Sequence, residues 1–130
     1  MNEGGAPLAL IVEDDTEMAL CIQRFLERKF SAHADTAADL QAATARLEVG
    51  SYEVILLDYQ LPDGNGVDLL DLIVSRDDHP RVVMLTGCLD NGLRPRALSH
   101  GALAYVFKDR KRFINLATAV EKALEGSKAA

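Results

Sequence analysis

Apolar runs and helical periodicities alternate along the chain. Leu8-Ala-Leu-Ile-Val12, Val54-Ile-Leu-Leu57 and Arg81-Val-Val-Met-Leu85 are strong strand signals, Leu103-Ala-Tyr-Val-Phe107 is the last strand, and Ala32 to Asp35 is a weak one. The continuous apolar run at Leu8 to Val12 fits a strand buried on both faces. Between the runs the period changes to that of a helix. Thr16 to Phe30 places Met18, Ile22, Phe25 and Leu26 on one face. Thr36-Ala-Ala-Asp39 reads as a capping box opening a helix to about Val49, with Leu40, Ala43 and Leu47 as its stripe and Gly50 as its stop. Leu61 to Gly66 is a loop by composition. Val67 to Ser75 turns Val67, Leu70, Ile73 and Val74 inward. Asp90 to His100 is a weaker helix; Pro95 is tolerated only in a first turn, so its start is late. Arg110 to Leu124 aligns Phe113, Leu116, Ala117, Val120 and Leu124.

Strand-then-helix, five times over, predicts an α/β fold with a parallel sheet covered on both faces and joined by right-handed crossovers. In such sheets the working site lies beyond the carboxyl ends of the strands. The residues at those ends are therefore the informative ones. Glu13, Asp14 and Asp15 follow the first strand, Asp58 the third, Thr86 and Gly87 the fourth, and Lys108 the fifth. Taken singly each has a plainer use: Asp14 or Asp15 as a helix cap, Asp58 as the start of a loop, Thr86 as a strand-end hydroxyl, Lys108 as a solvated surface cation. Taken together they form one chemical set. Clustered carboxylates repel unless a cation offsets them. Mg²⁺ takes oxygen ligands, commonly one or two carboxylates with waters and a phosphate. An aspartate can act as a nucleophile toward a phosphoryl group, while a metal and a lysine neutralise charge on the phosphoryl oxygens.

Composition narrows the function classes. The chain has 130 residues with 14 Lys plus Arg against 20 Asp plus Glu, a net charge of −6, which argues against a nucleic-acid or anionic-membrane face. No apolar run approaches the roughly 20 residues of a membrane span, and Met1 to Pro7 lacks the pattern of a secretory signal. Cys21 and Cys88 are far apart with no CxxC spacing, as in a reduced, cytoplasmic protein. His33, His79 and His100 are isolated and make no Cys/His metal pattern. Residues 1–7 read as a flexible leader, 8–125 as a single domain, and 126–130 as a tail or truncated linker.

Four ordered blocks carry a family resemblance. Leu8-Ala-Leu-Ile-Val-Glu-Asp-Asp15, Val54-Ile-Leu-Leu-Asp-Tyr-Gln-Leu-Pro-Asp-Gly-Asn-Gly66, Val82-Val-Met-Leu-Thr-Gly87 and Ala104-Tyr-Val-Phe-Lys108 resemble the receiver domain of bacterial two-component response regulators. The resemblance implies a flavodoxin-like, doubly wound five-stranded parallel sheet of order 2-1-3-4-5 with five helices. It implies Asp58 as phosphoacceptor, and Glu13, Asp14, Asp58 and the backbone carbonyl of Gln60 as holders of Mg²⁺. It implies Thr86 as switch hydroxyl coupled to Tyr105, Lys108 as a phosphate contact, and the Gly87 amide as another. Asp15 is expected to serve the helix start. One departure stands out: Asp109 follows Lys108 where the family usually has proline, commonly after a cis bond, and cis costs about 3–4 kcal/mol before other residues. This puts the aim of Lys108 in question. Cys88 borders the expected phosphate site.

The function so implied is a signalling switch, not an enzyme beyond its own phosphorylation and dephosphorylation. A sensor histidine kinase or histidine phosphotransfer protein is the expected donor. The surface of the fourth helix, fifth strand and fifth helix is expected to respond, with homodimerisation there as one outcome, and with neither nucleic acid nor membrane bound directly. The alternative is a receiver-like interaction module that works without phosphorylation. A phosphatase reading lacks the second Asp of a DxD pattern at Asp58-Tyr-Gln60, and no GxGxxG follows the first strand to bind a dinucleotide.

Overall fold

The computed structural model describes residues 7–76, 79–87 and 92–128. Five strands, β1 (Leu8–Val12), β2 (His33–Ala37), β3 (Val54–Asp58), β4 (Arg81–Thr86) and β5 (Ala104–Phe107), form one sheet in the order β2-β1-β3-β4-β5. All four pairings are parallel. The helices α1 (Thr16–Phe30), α2 (Leu40–Val49), α3 (Gly66–Val74), α4 (Leu93–Ser99) and α5 (Arg112–Lys128) connect or follow them. This is the expected flavodoxin-like topology. A two-rung antiparallel hairpin, Gln60–Leu61 with Gly64–Asn65, lies inside the segment read as loop.

Alternation of side chains along the strands splits the core in two. Leu10, Val12, Ile55, Leu57, Val82 and Met84 face α2, α3 and α4, meeting Ala43, Leu47, Leu70, Ile73, Leu93 and Ala97. Ala9, Ile11, Leu56, Val83, Leu85 and Val106 face α1 and α5, meeting Ile22, Leu26, Leu116 and Val120. Both faces of the central strands are thus dry, which is why they read as unbroken apolar runs.

Three element starts differ from expectation. Thr36 does not cap α2; it sits in β2 opposite Ile11, because its β-branched side chain suits the edge strand, and Asp39 is the cap, accepting from the Ala42 amide at 2.7 Å. Helix α4 starts at Leu93, so Pro95 falls in its first turn, where its missing N–H costs nothing. The expected start at Asp90 lies outside the described residues. Helix α5 starts at Arg112, since Asp109 first makes a turn, its carboxylate accepting from Lys111 N–H and its carbonyl from Arg112 N–H. No peptide bond among the described residues is cis.

Candidate functional site

The carboxyl ends of β1, β3, β4 and β5 bring the chemistry-bearing side chains to one edge of the sheet. Glu13, one residue past β1, is buried, and its own amide donates to Ala37 O at 2.9 Å, locking the β1–α1 turn to the end of β2. Its carboxylate Oε2 accepts from Asp15 N–H at 3.1 Å. Asp15 caps α1, accepting from Met18 N–H, as expected for the third acid of the block. Asp14, between them, is exposed. Asp58 ends β3 and is buried, with only 4% of its surface exposed.

The chain turns sharply behind Asp58. The Gly66 N–H donates to Tyr59 O at 2.7 Å, and a Cβ on Gly66 would lie 2.4 Å from Asp58 O. Only glycine lets α3 begin that close to the β3 backbone. The Gln60 N–H donates to Asp58 Oδ1 at 3.3 Å, while the Gln60 side chain is exposed.

Lys108 closes the cluster. Its Nζ lies 2.8 Å from Asp58 Oδ2 and 2.5 Å from Glu13 Oε1. The Lys108 amide donates to Thr86 O at 2.9 Å, fixing the loop after β5 to the end of β4. Asp109 in place of proline therefore does not keep the ammonium from the acids. Thr86 is buried at the end of β4, one residue past Leu85, the partner of Asp58. Tyr105 is half-buried on the α2–α3–α4 side, edge-on to Phe107 at 5.2 Å. Gly87 is exposed, and no described atom crowds its Cβ direction. Cys88 lies outside the described residues.

The electrostatics follow from one cation facing two buried acids. Burial pushes the Glu13 carboxyl up to about 7; Lys108 and the Asp15 amide pull it down, and Asp58 adds to the rise. For Lys108 burial alone would lower the ammonium, but the hydrogen bonds it donates to Asp58 and Glu13 outweigh it and the net shift is upward. Three acids, Glu13, Asp14 and Asp58, thus meet at a site with one ammonium, that of Lys108. One oxygen each from Glu13, Asp14 and Asp58 lie within 4.8 Å of one another. Hard carboxylate oxygens at that spacing, two of them dry and one at the wet rim, fit Mg²⁺, which keeps some of its waters.

The sequence did not single out Gly66 or Asp63. Gly66 sat inside a turn-rich stretch, and nothing local says that its Cβ position belongs to Asp58 O. Asp63 bonds to the first turn of α2, a contact that is invisible without the tertiary fold.

Comparison with known proteins bears directly on this arrangement. The family model described as the response regulator receiver domain matches residues 9–121. The chain belongs to the response regulator receiver domain family. Among its relatives, the transcriptional regulatory protein CutR of Streptomyces coelicolor is 36% identical over 99 residues, covering 76% of this chain and 45% of CutR. The aerobic respiration control sensor protein ArcB of Escherichia coli is 29% identical over 111 residues, covering 83% of this chain and 12% of ArcB. The receiver domain protein of Methanospirillum hungatei has a solved structure that superposes with a TM-score of 0.82 at 28% identity, covering 96% of this chain and 99% of that one. The chain spans half or less of the length of the curated relatives it matches. Among the described residues no helix of this receiver domain is long and apolar enough to cross a membrane.

Proposed function

We propose that this receiver domain is a phosphorylation-dependent switch in which Asp58 accepts a phosphoryl group from a phosphohistidine on a sensor kinase or phosphotransfer protein. The observation that carries the reading is the convergence of Glu13, Asp14, Asp58 and the Lys108 ammonium at one sheet edge. A carboxylate oxygen of Asp58 attacks phosphorus, the P–N bond breaks, and its electron pair returns to the imidazole, which takes a proton from solvent. Lys108, held by Thr86 O through its backbone, offers the ammonium to the incoming phosphoryl oxygens. Glu13, Asp14 and the Gln60 carbonyl, together with Asp58, are the residues that would hold Mg²⁺. Bound Mg²⁺ supplies charge neutralisation between the acids and the phosphoryl group.

The new charge, about −1.5 to −2, lies next to the end of β4. It draws the Thr86 hydroxyl and lets Tyr105 follow, which alters the α4–β5–α5 surface that a second copy or an effector reads. The shift is limited to the difference in free energy with which the phosphate interacts with the two states. Residues 8–125 form the working domain in this reading, acting in the cytoplasm.

The test is incubation with a small phosphodonor and Mg²⁺, read by intact mass. One phosphate adduct is expected, absent in Asp58→Asn and absent with chelator. A native chain that takes no adduct, or an adduct undiminished in Asp58→Asn, would turn the assignment toward the phosphorylation-independent interaction module.

A further inference from the structure

The loop after Asp58 is tied to the fold at a point distant in sequence. Its hairpin turns through Pro62 and Asp63, and the Asp63 carboxylate reaches the first turn of α2. Oδ1 accepts from Leu40 N–H at 2.9 Å and Oδ2 from Gln41 N–H at 3.0 Å, across 23 and 22 residues of chain. The next amide, that of Ala42, is already taken by the local cap Asp39. Helix α2 therefore starts under two carboxylates, although α1 and α3 each start under one local side chain, Asp15 and Asn65.

The two contacts are close and directional. The amide of Leu40, and behind it that of Gln41, hold the Asp63 carboxyl below the usual carboxylate range, so it is charged throughout the neutral region. A Cβ on Gly64 would lie 2.7 Å from Leu40 Cδ1, at a φ of +152° that side chains rarely adopt. At the other end of the same hairpin, Gln60 N–H donates to Asp58 Oδ1. A second acid at a helix start already capped by Asp39 adds like-charge repulsion. What it gains beyond helix capping is a fixed hairpin.

We propose that Asp63 is a positioning residue of the magnesium pocket: by clamping the hairpin to the first turn of α2 it fixes the Gln60 backbone relative to Asp58. This rests on the reading of Glu13, Asp14, Asp58 and the Gln60 carbonyl as metal holders. Asp39 provides the control, since its carboxylate caps the same helix at the Ala42 amide and, among the described residues, makes no hydrogen bond to the hairpin.

The experiment compares Asp63→Ala, Asp63→Asn and Asp39→Ala in the full chain. Two quantities are measured: amide hydrogen exchange at Gln60 and Leu61 without metal, and MgCl₂ affinity by calorimetry. Asp63→Ala is expected to speed hairpin exchange and to weaken Mg²⁺ about tenfold, as loss of an outer partner of a metal site does. Asp63→Asn, which keeps one acceptor oxygen, falls between. Asp39→Ala lowers thermal stability to a similar degree but leaves both readouts near the parent. Equal effects of Asp63→Ala and Asp39→Ala on Mg²⁺, or unchanged hairpin exchange in Asp63→Ala, would reduce Asp63 to a helix cap and overturn the proposal. If the parent chain binds no Mg²⁺, the pocket reading fails and this role with it. The exchange contrast then reports separately whether the clamp exists.

Discussion

Two polar clusters sit at different ends of this sheet, and they are built on opposite plans. At the edge strand β2, one carboxylate, Asp35, is shared by several donors. Tyr52 donates its hydroxyl to Oδ2 at 2.8 Å, Arg46 lies at 3.8 Å, and His33 at 3.6 Å. At the end of β3 the ratio is reversed: one ammonium serves two buried carboxylates, with a third at the rim. The first arrangement satisfies its charge and holds the edge strand, α2 and the start of β3 together. The second places more acids than cations at one sheet edge, and burial, with Asp58 adding to it, makes the charged form of Glu13 costly, raising its carboxyl to about 7. A cluster that stabilises the fold has donors in excess. The cluster at the end of β3, a metal and phosphoryl site by proposal, has acids in excess.

Removing the shared partner in each cluster sharpens the contrast. Lys108→Met has the largest expected effect, because it leaves Asp58 and Glu13 buried without their cation. A loss of about 3 kcal/mol is expected in urea unfolding at pH 8 without metal. The Glu13 share of that loss is confined to pH above about 7: Lys108 pulls the Glu13 carboxyl down, so without it the acid keeps its proton to higher pH, and below about 7 it is protonated with or without the ammonium. MgCl₂ should restore part of the lost stability. No loss at pH 8 would show that the acids are not held by Lys108.

Gly66→Ala comes next. The added methyl meets Asp58 O at 2.4 Å, and such overpacking costs about 2 kcal/mol. The same unfolding measurement, with Mg²⁺ affinity alongside, checks whether the pocket shifts with the backbone.

In the satisfied cluster, Tyr52→Phe removes a single hydrogen bond and should cost about 1 kcal/mol at pH 7. Burial, then Asp35, raises the Tyr52 hydroxyl to about 12 in the folded protein, against about 10 in the unfolded chain. The folded state thus binds this proton more tightly. Its stabilisation is complete below pH 10 and is lost as pH rises through 12. The difference between parent and Tyr52→Phe should therefore vanish across that window; a difference that stays constant to pH 12 would contradict the contact. Arg46→Ala is the smallest change. Its guanidinium is half exposed and distant, so a shift of about 0.3 kcal/mol is expected at low salt, and less at high salt.

Much of this molecule was legible in the linear sequence, for reasons that differ by element. β1, β3 and β4 were readable because both of their faces are buried, and dryness forces apolar residues at every position. α1 was readable because only one of its faces meets the sheet. β2 was harder. It is an edge strand with Asp35 and Thr36 in its middle, so polarity hid its extent and lent Thr36 to a false helix cap. Glu13, Asp14, Asp58 and Lys108 could be nominated because crossover topology sends every strand end to the same side of the sheet.

Sequence alone determined the alternation of strand and helix, the sheet class, and the residues that stand at the strand ends, since these depend on local period and on which positions must be dry. Only the tertiary structure decided the distances: that Lys108 Nζ bridges Asp58 and Glu13, that Gly66 must lack a side chain beside Asp58 O, and that Asp63 reaches across 23 residues to α2. Such contacts join segments far apart in the chain. Their geometry is set by how the layers pack, and no local pattern of residues carries it.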